Sequence, residues 1–326
     1  MPEQINWGII GCGDVTEVKS GPAFSKVAGS KLVAVMRRNA ELAADYAQRH
    51  KVGKWYSDAA QMMDNAEINA IYIATPPASH LPYALEALGR GLHVYVEKPV
   101  TLNAAEARQL SAAVKQSTAK LVVAHYRRAV PMFLYVKKLL DEQVIGEIRT
   151  VQIRMWQSAK PALIADVADN WRVDPSLSGG GYFHDLAPHQ LDLMLYYFGL
   201  PKTYQGYALN QSGVNQSDDH VCGQIVFENK VVVNGSWCFN VAESEVTDSC
   251  EIIGTKGRIS FPFFGKQVSW HNNTDGETVL FDHPPHIEQP MIEKAVAYFN
   301  DQQPNPCAID EAIVVMDMID AFSTAV

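Results

Sequence analysis

Two histidines and two aspartates lie within nine positions of the segment SGGGYFHDLAPHQLD, residues 178–192. If this segment is helical from Phe183 onward, Asp185 and His189 stand four residues apart on one face and can reach a common ligand. An imidazole that is oriented by a carboxylate is a suitable general base for the proton of an alcohol. The spacing therefore predicts a catalytic pair on a helix.

The distribution of polar and apolar residues around this helix predicts the surroundings of Asp185 and His189. Polar residues form one narrow stripe and apolar residues gather opposite, at about 100° per residue. The stripe is Asp185, His189, Asp192 and Tyr196, and the apolar side is Phe183, Ala187, Leu191, Met194 and Phe198. A stripe this narrow predicts a mostly buried helix with one line of groups facing a cleft.

Two other interpretations of the segment follow from its histidines and glycines. His184 lies roughly 140° around the helix from His189, so the two cannot easily share a metal ion, and no metal site is predicted. The glycines at 179–181 allow the chain to pass close to a flat ligand, or they serve only as a flexible entry to the helix.

A glycine-rich loop near the start indicates a nucleotide site. GIIGCGDVT gives Gly11-x-Gly13-x-x-Thr16, directly after an apolar run and before a helical segment that opens with Asp14 and Val15. In that context the first glycine permits a tight turn, and the second lets the backbone approach a pyrophosphate. The alternative is an ordinary strand-to-helix turn, since the third position of the pattern is Thr rather than Gly or Ala.

The end of the second predicted strand, AVMRRN, bears on the choice of dinucleotide. Arg37 and Arg38 stand where an NAD-binding protein would carry an acid for the ribose hydroxyl. Two guanidinium groups suit a 2′-phosphate, which favours NADP, with NAD as the alternative cofactor. The pair could also be two solvated arginines at a strand end.

Two further loops follow predicted strands, at the edge where ligands of open α/β sheets bind. ATPPASH (Ala74–His80) contains two prolines and a histidine, and EKP (Glu97–Pro99) fixes a lysine between a strand and a proline. A nearby nicotinamide cation and partial desolvation would lower the pKa of Lys98, so that it could share its proton with a substrate hydroxyl. The alternative is an ion pair between Lys98 and Glu97.

The pattern of elements predicts an α/β protein with two domains. Up to about residue 124, apolar runs alternate with helical segments, as in a doubly wound parallel sheet of the Rossmann type. Residues 125–326 instead carry one long helix near the start, long alternating strands and a closing helix, which predicts an α+β domain with a large, mostly antiparallel sheet. FENK and GTKG are expected to be hairpin turns within it.

Composition narrows the class of protein and of partner. The chain has 326 residues, a 47% hydrophobic and 19% charged composition and a formal net charge of −9, which disfavours nucleic acid and anionic membranes as partners. The five cysteines are scattered, and the N-terminus lacks the basic region of a secretory signal. These features predict a cytoplasmic protein without disulfides or a membrane span.

Four motifs in this order resemble the Gfo/Idh/MocA family of NAD(P)-dependent oxidoreductases: GIIGCGDV, ATPPASH, VYVEKPV and GGGYFHDLAPHQLD. The resemblance covers essentially the whole chain and departs from the family's usual pattern at Thr16 and Arg37. It implies a Rossmann domain at 1–124 and, at 125–326, a domain for substrate binding and oligomerisation with an open sheet. It further implies a sugar, cyclitol or related polyol as substrate, a homo-oligomer (dimer or tetramer), and a Lys98–Pro99 bond that is often cis.

The resemblance also assigns residues. It implies that Lys98, Asp185 and His189 are catalytic, and that NWR (Asn170–Arg172) provides a tryptophan–arginine pair near the site. Together with the loops above, the predicted cofactor-binding residues are Gly11, Gly13, Asp14, Val15, Arg37, Arg38, Thr75, Pro76, His80, Glu97, Lys98, Trp171 and Arg172.

These features together predict reversible hydride transfer between a nicotinamide and a carbinol or carbonyl carbon of the substrate. Two other functions remain open: a glycosidase that oxidises its substrate transiently, and a sensor that binds NADP or a sugar without turnover. The sequence does not distinguish the sugar, the carbon or the direction of the reaction.

Overall fold

The computed structural model describes residues 3–164 and 170–324. The chain divides into two compact units. The first unit comprises Met1–Tyr126 and Pro284–Val314, and the second comprises Arg127–His283 and Val315–Val326.

Strands and helices alternate through the first part of the chain. They are β1 (Ile5–Ile10), α1 (Asp14–Val18), β2 (Ser30–Met36), α2 (Ala40–His50), β3 (Lys54–Tyr56), α3 (Ala59–Met63), β4 (Ala70–Ile73), α4 (His80–Gly89), β5 (His93–Val96), α5 (Ala104–Gln116) and β6 (Leu121–Val123). The six strands form one sheet in the order β3-β2-β1-β4-β5-β6, and every pair is parallel. The predicted doubly wound Rossmann sheet is confirmed.

The sheet order places the loops that bear on function. The chain winds in opposite directions on either side of the β1–β4 pair, and the loops after these strands are where such sheets bind ligands. The strands are buried on both faces, as β4 shows at all four positions. Side-chain caps fix the starts of two helices, since Asn39 accepts a hydrogen bond from the Leu42 amide and Asn103 accepts one from the Glu106 amide.

Sequence patterns did not indicate β3 or α3. β3 is a three-residue edge strand whose Lys54 and Trp55 are exposed, so it lacks the apolar run that marks a buried strand. Its backbone nevertheless pairs with β2, and the Arg37 amide continues the ladder to the Tyr56 carbonyl.

The second unit is built on one large sheet. Its elements are α6 (Pro131–Asp141), β7 (Ile148–Trp156), α7 (Pro175–Ser178), α8 (Tyr182–Phe198), β8 (Pro201–Leu209), β9 (His220–Phe227), β10 (Val232–Cys238), β11 (Thr247–Gly254), β12 (Arg258–Phe261), β13 (Gln267–His271) and β14 (Gly276–Leu280). The order is β14-β13-β12-β11-β7-β10-β9-β8, and only β7 and β10 pair in parallel. The mostly antiparallel sheet is therefore confirmed, and FENK and GTKG connect antiparallel neighbours.

Two helices complete the chain: α9 (Gln289–Phe299) and α10 (Ile309–Phe322). The predicted boundary assigned all residues after 124 to the second domain, whereas residues 284–314 group with the first unit. The Phe299 ring packs 5.7 Å from that of Trp7, and the Cys307 carbonyl accepts a hydrogen bond from the Val123 amide at the edge of the parallel sheet. Within the described ranges, no helix has the length and apolar character that crossing a membrane requires.

Candidate active site

The glycine-rich loop is a tight turn at the carboxyl end of β1. Gly11 has φ of 91°, and a Cβ there would lie 2.8 Å from the Thr75 methyl carbon and 2.9 Å from the Ala74 carbonyl carbon. Beside Gly13 a Cβ would meet only the Gly11 oxygen at 4.0 Å, so the backbone there is open to an approaching group. The loop therefore has the tight turn and the open backbone that a pyrophosphate site requires, and pyrophosphate binding at the two glycines stays a prediction.

The contacts of Thr16 show why a threonine fits at the third position of the glycine-rich pattern. Its hydroxyl donates to the Gly13 carbonyl at 2.7 Å, and its carbonyl accepts from the Tyr46 hydroxyl at 2.7 Å. The side chain is fully buried, so it closes the turn where the pattern usually has a glycine or alanine. The threonine therefore supports the loop instead of disrupting it.

Arg37 and Arg38 follow directly on β2, at the predicted place. The half-buried Arg37 reaches back to the loop, where its Nη1 donates to the Cys12 carbonyl at 3.4 Å. Arg38 is exposed. The two arginines therefore differ: Arg37 is hydrogen-bonded to the glycine-rich loop, whereas Arg38 is exposed to solvent.

His80 joins the two loops that follow β4 and β5. Its Nε2 lies 2.8 Å from the Thr75 carbonyl oxygen and its Nδ1 lies 2.9 Å from that of Pro99. Burial lowers the pKa of His80 to about 4, so the ring is neutral and donates to one carbonyl at a time. The sequence predicted a cofactor contact for His80, but a side chain with 0% exposure supports the loops from behind.

The loop after β5 is held by the buried carboxyl group of Glu97. Its Oε1 accepts from the Tyr72 hydroxyl at 2.6 Å and its Oε2 accepts from the Lys98 amide at 3.2 Å. Burial raises the pKa of Glu97 more than the charge of Lys98 lowers it. The Lys98–Pro99 peptide bond is cis, and Lys98 is half-buried.

In the second unit, α8 begins with a closely packed turn. The Ser178 hydroxyl accepts from the amides of Gly180 and Gly181, and Gly181 has φ of 83°. A side chain at Gly180 would overlap the ring of His184. Packing therefore requires glycine at positions 180 and 181. Burial also lowers the pKa of His184 to about 4.

Helix α8 is buried as predicted, and Asp185 lies near its start. The Asp185 carboxylate accepts from Arg172 Nε at 2.9 Å, and the Arg172 guanidinium lies 4.5 Å from the centre of the Trp171 ring. The predicted tryptophan–arginine pair is thus attached to Asp185. His189 is buried, with its ring edge-on to Phe264 at 5.7 Å.

Asp192 belongs to the same polar stripe but has a different partner. Both of its oxygens accept from Arg128 Nε at 3.0 Å, and Arg128 Nη2 lies 2.7 Å from Oδ1. The two side chains are 5% and 1% exposed, so this is a buried ion pair. The pair was not predicted, because no local sequence pattern couples Arg128 to a residue 64 positions away. Across the part of the chain that the structure describes, no group of three or more His, Cys, Asp or Glu residues could hold a metal ion.

Comparison with known proteins decides the family. Residues 5–125 match the oxidoreductase family with an NAD-binding Rossmann fold, and residues 133–260 match the GFO/IDH/MocA C-terminal domain. Oxidoreductase P35 of Formosa agariphila is 48% identical over 322 residues, which is 99% of each chain. The chain belongs to the Gfo/Idh/MocA family. It is an oxidoreductase with an NAD-binding Rossmann domain.

Solved structures of other oxidoreductases share the fold. A 3-ketoreductase from Actinomadura kijaniata, in complex with NADP and TDP-benzene, has a TM-score of 0.85 at 18% identity and covers 99% of both chains. A levoglucosan dehydrogenase, in complex with NADH and levoglucosan, has a TM-score of 0.82 at 24% identity, covering 98% of this chain and 96% of its own. In this Gfo/Idh/MocA protein, the segment 284–314 lies outside both matched family ranges.

Proposed function

We propose that the protein transfers a hydride reversibly between a nicotinamide cofactor and a carbinol or carbonyl carbon of a sugar, cyclitol or related polyol. The proposal rests mainly on the EKP loop, which follows the carboxyl end of β5. The glycine-rich loop follows β1 of the same parallel sheet, and its backbone at Gly13 is open to a pyrophosphate. Similar proteins point to the substrate class, since one solved relative holds NADH with levoglucosan.

Three side chains carry the chemistry in this proposal. When bound, the nicotinamide accepts or supplies the hydride. In the oxidation direction, the His189 imidazole removes the hydroxyl proton, and the Lys98 amine donates a hydrogen bond to that oxygen and stabilises its developing charge. Asp185, which Arg172 holds in one orientation, positions the substrate or the imidazole. In reduction the same groups return the proton.

We propose NADP as the preferred cofactor. Gly11 and Gly13, with Asp14 and Val15 at the start of α1, would hold the pyrophosphate, while Arg37 and Arg38 would face the 2′-phosphate. Thr75, Pro76, Trp171 and Arg172 complete the proposed cofactor contacts. The buried Glu97, which the sequence also predicted to bind the cofactor, instead accepts from the Tyr72 hydroxyl and the Lys98 amide and supports the loop. Similar structures hold NADP in one case and NADH in another, so NAD is the alternative. A homo-oligomer remains a prediction from the family resemblance.

A screen of sugars and polyols with both NAD⁺ and NADP⁺ tests the reaction, followed by absorbance of the reduced nicotinamide. With an active substrate, Lys98→Met is expected to lower kcat by about 10²- to 10⁴-fold while cofactor binding persists, because a group acting only on the reacting oxygen is lost. Lys115→Met, at an exposed position on α5, is the matched control and should retain activity.

Turnover near the wild-type rate in Lys98→Met would contradict this assignment. Cleavage of a glycoside without net cofactor reduction would favour the transient-oxidation glycosidase. Binding of NADP or a sugar with no turnover across the panel would favour a sensor.

A further inference from the structure

A short segment before α9 is fixed against the end of the glycine-loop helix. The His286 Nδ1 donates to the Val18 carbonyl at 2.6 Å, and Lys26 Nζ donates to Nε2 of the same ring at 2.6 Å. Because the Lys26 ammonium group can only donate, Nε2 is the acceptor in this network. Two residues on, the Glu288 amide donates to the Lys19 carbonyl at 3.2 Å.

The same segment places the carboxyl group of Glu288 next to that of Glu97. Glu288 is 1% exposed, and its side chain is hydrogen-bonded to that of Glu97. Two carboxylates cannot hydrogen-bond to each other, so the pair must hold a proton. Glu288 Oε2 finds no hydrogen-bond partner among residues 3–164 and 170–324. A neutral carboxyl tolerates a buried, unpartnered oxygen far better than a carboxylate does.

Electrostatics assign the proton to Glu288. Burial, and then the charge of Glu97, raise the pKa of Glu288 well above its usual value. Glu97 instead faces three groups that favour its ionised form: the Tyr72 hydroxyl, the Lys98 amide and the Lys98 charge. The charges of Lys19 and Lys98 also act on Glu288, and they lower its pKa only in part. The phenols of Tyr72 and Tyr95 lie near the pair as well, and burial raises the pKa of both, so they are neutral.

We propose that Glu288 is a positioning residue for Lys98: its neutral carboxyl donates a hydrogen bond to Glu97 and keeps Glu97 ionised against the Lys98 amide. The Glu97–Glu288 pair then carries one negative charge, which lies on Glu97 next to Lys98. Glu288 lies outside both matched family ranges, so neither those matches nor the EKP motif identifies it as a partner of Glu97. The importance of Lys98 in turnover rests on the proposed function, whereas the carboxyl pair does not.

The proposal predicts how stability changes with pH. The folded state keeps the proton of Glu288 at pH values where the unfolded chain has released it, because the pKa is raised on folding. This group's contribution to stability is therefore full below the unfolded pKa of about 4.3 and is lost as pH rises towards the folded pKa. Glu288→Gln keeps a hydrogen-bond donor without a titrating proton and should lack this loss.

Urea unfolding from pH 5 to 9 tests the proton. The unfolding constant of the wild type, relative to Glu288→Gln, is expected to rise with pH by up to tenfold per unit, because one proton separates the two states. Glu293→Gln, which changes an exposed carboxyl on α9, should follow the wild type. Parallel curves for the wild type and Glu288→Gln would overturn the proposal, since they would show that Glu288 releases its proton equally in both states.

The reactivity of Lys98 tests its link to the pair. The rate at which trinitrobenzenesulfonate modifies Lys98 at pH 7, measured by peptide mass mapping, reports the neutral fraction of its amine. Glu288→Leu removes the donor, so Glu97 takes up a proton and the lysine loses a neighbouring charge. The rate should then rise several-fold, while Glu288→Gln should remain within twofold of the wild type.

Equal rates in the Gln and Leu variants would overturn the positioning role, because they would show that Glu288 only fills space. Neither readout requires a substrate. A failed hydride-transfer assay would therefore count against the proposed function alone, and these two measurements decide the carboxyl pair by themselves.

Discussion

The polar stripe of α8 contains two aspartates whose partners set different roles. Asp185 is bound by Arg172, which itself stacks on Trp171, so its carboxylate is oriented from one side. Asp192 is fully enclosed with Arg128, and breaking a buried pair of this kind typically costs about 3–5 kcal/mol because one charge is left uncompensated. We therefore interpret Asp192 as structural and retain Asp185 as the candidate site residue.

The proposed preference for NADP depends on the arginines that follow β2. Arg38→Ala is expected to reduce the preference for NADP over NAD by about 10- to 100-fold, because hydrogen bonds to a charged group contribute about 1.5–3 kcal/mol each. The measurement is the ratio of cofactor dissociation constants. Lys31→Ala removes an exposed charge from the other end of β2 and should leave the ratio unchanged. An unaltered ratio in Arg38→Ala would remove the arginine argument for NADP.

The turn between β1 and α1 depends on a backbone conformation that only glycine tolerates. The Gly11 and Cys12 amides both donate to the Met36 carbonyl, which ties the turn to the end of β2. The positive φ of Gly11 and its contact with the β4 loop both exclude a side chain. The loops after β1, β2 and β4 are thus held together by backbone contacts.

Gly11→Ala is expected to lower the free energy of unfolding by about 1–3 kcal/mol, because alanine meets both the unfavourable φ and the crowded loop. Cofactor affinity should fall with it. Gly53→Ala is the control, since that exposed glycine has no atom within 4 Å of a Cβ and its φ is ordinary. Calorimetry and cofactor titration measure the two effects, and wild-type values in Gly11→Ala would contradict a packed turn.

Each of the two units contains a histidine whose pKa is lowered to about 4 by burial: His80 in the first unit and His184 in the second. The unfolded chain binds a proton at these residues below pH 6.5, whereas the folded chain does not until about pH 4. Their contribution to stability is therefore full above pH 6.5 and is lost as pH falls to about 4. This slope is opposite in sign to that of Glu288.

A comparison of the wild type with His80→Gln isolates one of these contributions. The stability advantage of the wild type should shrink as pH falls from 7 to 5, by up to tenfold in the unfolding constant per unit. Urea unfolding at several pH values measures it. His271→Gln, at an exposed position, should keep the wild-type slope. A constant advantage of the wild type over His80→Gln would contradict this prediction, because it would show that the pKa of His80 is the same in the folded and unfolded states.

Features that depend on neighbours along the chain could be predicted from the amino-acid sequence. Apolar runs alternating with helices predicted the parallel sheet, and helical spacing predicted that α8 is buried and that Asp185 and His189 share a face. The glycine pattern and the two arginines were predicted at strand ends because a strand end is itself a local signal. The motifs also sufficed to identify the family.

Contacts between residues that are distant in the sequence became known from the folded structure. The partners of Asp185, Asp192 and Glu97 are Arg172, Arg128 and Glu288, and no local pattern selects among the many arginines and glutamates of the chain. Residues 284–314 contain α9 and the start of α10, of which the sequence predicted only the closing helix, and helical periodicity does not specify which sheet a helix covers. These pairings depend on the packing of the complete fold, because the free energy of a buried charge is set by the groups that surround it in space.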